Sequence, residues 1–188
     1  PLHVLAVDLG STTIAAHLCD LVTGRVLASS GVMNPQIRFG EDLMSRVSYA
    51  MMNAGGATEM TAAVREALDD LARAIAAEAR VDPRTVVEAV IVCNPVMHHL
   101  LLGIDPVELG QAPFALATSD AVPLAAAELG LTAISPGARA HLLPCIAGHV
   151  GADAAAVALS EAPDKADALT LVVDVGTNAE ILLGDRAG

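Results

Sequence analysis

Val7-Asp8-Leu9-Gly10-Ser11-Thr12, near the start of the 188-residue chain, is echoed near its end by Val173-Asp174-Val175-Gly176-Thr177-Asn178. An apolar run precedes each copy, Val4-Leu5-Ala6 in the first and Leu169-Thr170-Leu171-Val172 in the second. Strand-like sequence follows each, Ile14 to Leu18 and Ala179 to Leu183. Each copy therefore reads as strand, tight acidic-glycine turn, strand. Two copies are too few for a solenoid and suit a duplicated domain that presents two similar loops to one ligand. Glycine lets the backbone approach a ligand closely. The amides of Gly10, Ser11 and Thr12, with the hydroxyls of Ser11, Thr12 and Thr13, can then donate to phosphate oxygens. Asp8 and Asp174 would repel a bare phosphate, but they suit a Mg²⁺ ion lying between loop and phosphate. A single Asp-x-Gly-Ser/Thr is also an ordinary turn sequence; repetition in matching strand contexts favours a two-sided phosphate clamp.

Composition narrows the class. Hydrophobic residues make up 54% of the chain and charged residues 17%, with no Trp, one Tyr and two Phe. Such an aliphatic core suits helices packed on a buried sheet. The formal net charge of −12 argues against nucleic acid and anionic membranes as partners. No apolar stretch is long enough to span a bilayer, and no signal peptide opens the sequence. Cys19, Cys93 and Cys145 are far apart with no CxxC pair. They read as buried thiols of a cytoplasmic protein rather than metal or cluster ligands.

Periodicity gives the order of elements. Residues 3–9, 13–20 and 25–32 read as strands, with Thr23-Gly24 turning between the last two. Residues 40–53 and 57–80 read as helices, the second from Met60, Val64, Leu68, Leu71 and Ile75 at helical spacing. Residues 86–93 form a β-branched run typical of a strand buried on both faces. Asn94-Pro95 offers an N-cap and a first-turn proline to a helix ending at Leu102, before Gly103. Residues 104–140 show no sustained period and read as an irregular elaboration. A strand over 141–147 and a helix over 152–161 follow, then a polar linker at 162–168 and the second hairpin from 169. The expectation is an α/β chain with one nearly complete lobe over 1–161 and only the opening hairpin of a second over 169–188. Since one βαβ unit takes about 30 residues, the second lobe is expected to be cut short. The unpaired edges of that hairpin are expected to promote homo-oligomers.

The repeated loops resemble those of the acetate and sugar kinase, heat-shock chaperone and actin superfamily, which has a duplicated ribonuclease-H-like fold. A narrower resemblance is carried by Asn34-Pro35-Gln36-Ile37-Arg38-Phe39-Gly40-Glu41-Asp42-Leu43-Met44-Ser45-Arg46-Val47, by Met97-His98-His99-Leu100 with Gly103-Ile104-Asp105-Pro106, and by Pro144-Cys145-Ile146-Ala147-Gly148-His149-Val150-Gly151-Ala152-Asp153. With Asp174-Val175-Gly176-Thr177-Asn178-Ala179-Glu180-Ile181, these stretches look like the reductive activators of corrinoid proteins, in that family's order along nearly the whole chain. One departure is Pro95-Val96, where the family usually has two threonines.

The resemblance implies an actin-like ATPase fold, with ATP and Mg²⁺ as cofactors and Asp8 and Asp174 holding Mg²⁺ mostly through water. It also implies Gly10, Ser11, Thr12, Thr13, Gly176, Thr177 and Asn178 as nucleotide contacts. It further implies ATP-driven reduction of Co(II) corrinoid to methyl-accepting Co(I), on a corrinoid protein or corrinoid-dependent methyltransferase. The electron would come from a [2Fe-2S] domain upstream of these residues. These 188 residues, lacking the adenosine-binding loop, are expected to bind ATP weakly or not at all alone. Glu41 and Asp42 are the candidates for orienting an attacking water, against a plain helix N-terminus. Arg38 and Arg46 could contact phosphate or neutralise those acids. Adjacent His98 and His99 point about 100° apart on a helix, which suits packing better than a shared metal. His149 reads as core packing, and Asp153 either as a helix first-turn acid or as a cleft residue. A small-molecule kinase of the same fold and a non-catalytic actin-like scaffold are the alternative functions.

Overall fold

A computed structural model describes residues 1–176 and 179–187. The chain opens with β1 (His3–Leu9), β2 (Thr13–Asp20) and β3 (Val26–Met33), an antiparallel meander. A 3₁₀ turn at Pro35–Phe39 leads to α1 (Leu43–Met52) and the long α2 (Gly56–Glu78). Next come β4 (Val86–Cys93), α3 (Pro95–Leu102), β5 (Val122–Ala125), β6 (Arg139–Leu142) and α4 (Ala152–Glu161). The last elements are β7 (Thr170–Val175) and β8 (Ala179–Gly184).

Six strands make one mixed sheet in the order β3-β2-β1-β4-β6-β5, in which β4 runs parallel to both of its neighbours, β1 and β6. β7 and β8 form a separate antiparallel pair. The central strand β1 alternates buried Leu5, Val7 and Leu9 with more open positions, and its partners supply Ile14, Leu18, Ala89 and Ile91 to the same core. α2 lies over β2 and β3 and contributes Val64, Leu68, Leu71 and Ile75. Each such side chain gives about 1.5–3 kcal/mol on burial, so this stripe anchors the helix. Asp69 on α2 also accepts from the Ala133 amide at 2.7 Å, tying the segment before β6 to the helix.

Three expected elements differ. The helix expected over 40–53 starts at Leu43, because Gly40 closes the preceding 3₁₀ turn so tightly that a Cβ there would lie 2.7 Å from the Ser45 Cβ. Within 104–140 a short strand, β5, extends the main sheet antiparallel to β6. Four residues with a proline among them give no alternation to read, and Pro123 is tolerated there because β5 is an edge strand. β6 covers Arg139–Leu142 instead of 141–147.

Candidate functional site

The first loop grows from the middle of the sheet. Leu9 is wholly buried and fixes the end of β1, so the preceding Asp8 turns the other way and opens to the cleft above the strand ends. Gly10 has no room for a side chain: an added Cβ would sit 2.5 Å from the Thr13 carbonyl oxygen. The loop is held from behind through three consecutive carbonyls. Asn34 Nδ2 donates to Gly10 O at 2.8 Å, Arg46 Nη2 donates to Ser11 O, and the Asn34 amide donates to Thr12 O at 2.8 Å. In a trans peptide the C=O and the next N–H point in opposite directions. Anchoring the carbonyls of Gly10 and Ser11 thus turns the amides of Ser11 and Thr12 away from Asn34 and Arg46.

The anchoring residues are themselves buried and fixed. Asn34 is fully buried and its Oδ1 accepts from the Gln36 amide at 2.9 Å. Gln36, also fully buried, donates to Met60 O on α2. Arg46, on α1, is 0% exposed. Its Nε donates to Gly40 O at 3.0 Å, and its Nη1 lies 3.0 Å from Met97 Sδ and 3.4 Å from Gln36 Oε1. Burial pushes its pKa down to about 10, which leaves the guanidinium charged at neutral pH.

The opposite wall comes from the end of the chain. Asp174 on β7 pairs directly across from Glu180 on β8, so both carboxylates share one face of the hairpin. A cleft of about 480 Å³ is lined by Asp8, Gly10, Ser11, Thr12 and Thr13 on one side and by Asp174, Gly176 and Glu180 on the other. Asn94, the N-cap of α3, and Asp153, in the first turn of α4, complete it. Gly151 lets α4 come close: a Cβ there would lie 2.5 Å from both Cys93 O and Asp153 Oδ1. Thr177 and Asn178, expected in the second loop, lie outside the described residues.

The cleft is electrostatically unsatisfied by itself. Desolvation raises the pKa of Asp8, and the charges of Asp153 and Asp174 raise it further. Asp153 is raised mainly by desolvation, against an opposing hydrogen bond from the Ala154 amide. Glu180 is raised by desolvation and by Asp153 and Asp174. Like charges gathered this way favour either protons or a cation among them. Among the described residues no three His, Cys, Asp or Glu side chains cluster tightly enough to ligate a metal directly. The carboxylate and hydroxyl oxygens of the cleft are donors of the type that hard cations take.

Glu41 and Asp42 do not line the cleft. Asp42 is the N-cap of α1 and accepts from the Ser45 amide at 2.7 Å, which lowers its pKa; Glu41 beside it is exposed. Arg38 is exposed and stacks over the Phe39 ring at 4.7 Å. His99 bridges Pro95 O and the Ala117 amide through its two ring nitrogens, while His98 is buried with neither nitrogen paired among the described residues. His149 is not a core residue; it is exposed, with its ring tilted 58° against Phe114 at a centroid distance of 4.1 Å. Sequence reasoning gives Asn34 and Asn94 no place at the site, and it puts Arg46 against phosphate or acids rather than behind the loop. For Asn34 and Arg46 the one signal is the dense Asn34–Val47 signature, whose anchoring residues are not the acidic ones.

The sequence profile described as the RACo middle region matches residues 3–165. The chain belongs to that family. It is similar over nearly its whole length to two larger proteins. The corrinoid activation enzyme RamQ of Eubacterium limosum is 33% identical over 185 residues, covering 98% of this chain and 31% of RamQ. A solved structure of a reductive activator for corrinoid, iron-sulfur protein superposes with a TM-score of 0.93 at 33% identity, covering 99% of this chain and 30% of that one. This RACo middle region chain thus spans about a third of the length of these relatives. Among the described residues no helix is long and apolar enough to cross a membrane.

Proposed function

We propose that this chain is the phosphate-gripping part of an ATP-dependent activator that returns inactive Co(II) corrinoid to Co(I). Membership of the RACo middle region family and the names of both relatives support the activator role. The observation that carries the ATP reading is the meeting of Asp8, Gly10, Ser11, Thr12 and Thr13 with Asp174, Gly176 and Glu180 around one cleft. The strand order β3-β2-β1-β4, two antiparallel pairings and then a parallel one, fits a ribonuclease-H-like lobe of the actin-like ATPase superfamily.

In this reading the loop amides and hydroxyls bind the nucleotide phosphates. Asp8 and Asp174 would hold Mg²⁺ through water, in a cleft that Asp153 and Glu180 also line. The ion, when bound, would offset the charge that these acids and the phosphates place together. Gripping the nucleotide from both walls would close the hairpin against the main sheet, and hydrolysis would release it. Closure would favour docking on the corrinoid protein or methyltransferase, where one electron, supplied by a [2Fe-2S] domain elsewhere in the full-length protein, converts Co(II) to Co(I).

The test uses the full-length protein with a reduced electron donor and a Co(II) corrinoid protein, followed by absorbance of the corrinoid. Co(I) should accumulate with Mg-ATP and not with a non-hydrolysable analogue over repeated turnovers. Equal reduction without nucleotide would remove ATP from the function. Phosphorylation of a small-molecule substrate, with no effect on cobalt, would make the chain part of a kinase instead.

A further inference from the structure

We propose that Arg46 is the positioning residue of the first phosphate loop, acting from behind it as a fixed buried cation. The inference rests on the phosphate-binding reading above and concerns a residue that does not line the cleft. Arg46 is the only buried Arg or Lys among the described residues. Among them no carboxylate lies within ion-pair distance of it, although the exposed Asp42 carboxylate at the start of α1 interacts with its charge from further away. Its contacts are instead neutral acceptors on separate parts of the fold: Ser11 O in the loop, Gly40 O before α1, Gln36 Oε1, and Met97 Sδ on α3.

A buried cation without an ion-pair partner is costly to a folded protein. It persists where its hydrogen bonds over-determine a geometry, or where the missing negative charge arrives with a ligand. The first condition is met by the contacts of Arg46, and the second follows from the phosphate-binding reading. The planar guanidinium donates in fixed directions, so with Nε held by Gly40 O and Nη1 by Gln36 Oε1, Ser11 O keeps its bond to Nη2 only in one position. The opposite side of the same loop lines the cleft, where a polyphosphate would bring negative charge toward a wall otherwise set with Asp8, Asp153, Asp174 and Glu180. Arg46 would thus give the loop two properties that the loop sequence lacks, a rigid backing and a positive field.

The test compares full-length wild type with Arg46→Met and Arg46→Lys. Methionine keeps much of the apolar bulk, and replacing a buried charge with an apolar side chain is often tolerated. Lysine keeps the charge but not the fork. Calorimetric dissociation constants for AMP, ADP and ATP with Mg²⁺ give the main readout. For Arg46→Met the loss should grow with phosphate number and reach about tenfold or more for ATP, with Arg46→Lys intermediate. Hydrogen exchange across residues 9–13 should accelerate in both. If Arg46→Met does not fold, Arg46→Lys decides by the same two measurements. Unchanged ATP affinity and unchanged exchange in a folded variant would overturn the proposal, as would an equal loss for all three nucleotides. Wild type that binds no ATP would defeat the phosphate reading instead, and exchange at 9–13 would then still show whether Arg46 holds the loop.

Discussion

The two Asp-x-Gly turns share a sequence and differ in what stands behind them. The first leaves the central strand of a six-stranded sheet, follows a fully buried Leu9, and has its carbonyls held by Asn34 and Arg46. The second sits on a two-stranded hairpin. One face of that hairpin carries Asp174 and Glu180 toward the cleft. The other presents Leu171, Val173, Val175, Ile181 and Leu183 to solvent, with exposures from 49% to 77%. The same local motif is therefore rigid in one place and thinly supported in the other. Loop chemistry is a local property, whereas loop rigidity depends on what packs beneath.

The largest expected difference is in hydrogen exchange. In this 188-residue chain, β1 and β4 amides should exchange only through global opening, and β7 and β8 amides through local opening. Exchange should differ by about a thousandfold or more between the two, a gap of roughly 4 kcal/mol. Equal protection would show that the hairpin belongs to the same cooperative unit.

Acid should separate the regions next. Burial, with His99 beside it, depresses the pKa of His98 to about 4 from 6.5. The unfolded chain then takes up a proton that the fold excludes, so stability is full above about pH 6.5 and is lost as pH falls toward 4, by up to ~3 kcal/mol. The raised pKa values of Asp8, Asp153 and Glu180 work in the opposite sense, since their contribution is lost as pH rises through the folded values. His98→Leu isolates the histidine. Denaturation midpoints of that variant should lose the acid-side fall while keeping the carboxylate trend, and an unchanged pH profile would break the assignment.

Glycine substitutions probe one position in each of the two hairpins. Gly10→Ala should destabilise by about 1–3 kcal/mol, because the new methyl meets the Thr13 carbonyl. Gly184→Ala, at the end of β8 with nothing within 4 Å of the added Cβ, should be neutral or slightly stabilising. Urea denaturation of the two variants gives both values; similar losses would mean that the two hairpins are equally constrained.

The smallest effect is expected at Asp42. Removing its carboxylate in Asp42→Ala should lower the thermal midpoint slightly by uncapping α1. ATP turnover by the full-length protein should stay the same, and a collapse of turnover would return this acid to the reaction.

Much of the arrangement is legible in the amino-acid sequence. β1, β2 and β4 have the ranges read from alternation and β-branched runs, and α2, α3 and α4 lie where helical spacing and caps put them. The Asp8 and Asp174 loops are readable as a pair because turn residues and strand flanks are encoded within a few neighbours. β5 is not readable, since four residues carry no period and edge pairing depends on β6 being present.

The repeat, the order of the longer strands and helices and the family all follow from the chain alone, because local periodicity and residues close together in sequence set them. Which residues serve the loops is settled by packing in three dimensions. Arg46 reaches Ser11 across 35 positions of sequence, and Asp153 joins Asp8 because α4 packs near the end of β4. Burial makes Asn34 and Arg46 the backing of the loop after Asp8, while Asp42 in the same segment caps α1. A guanidinium finds its acceptors through tertiary contacts, and no spacing in the chain records them.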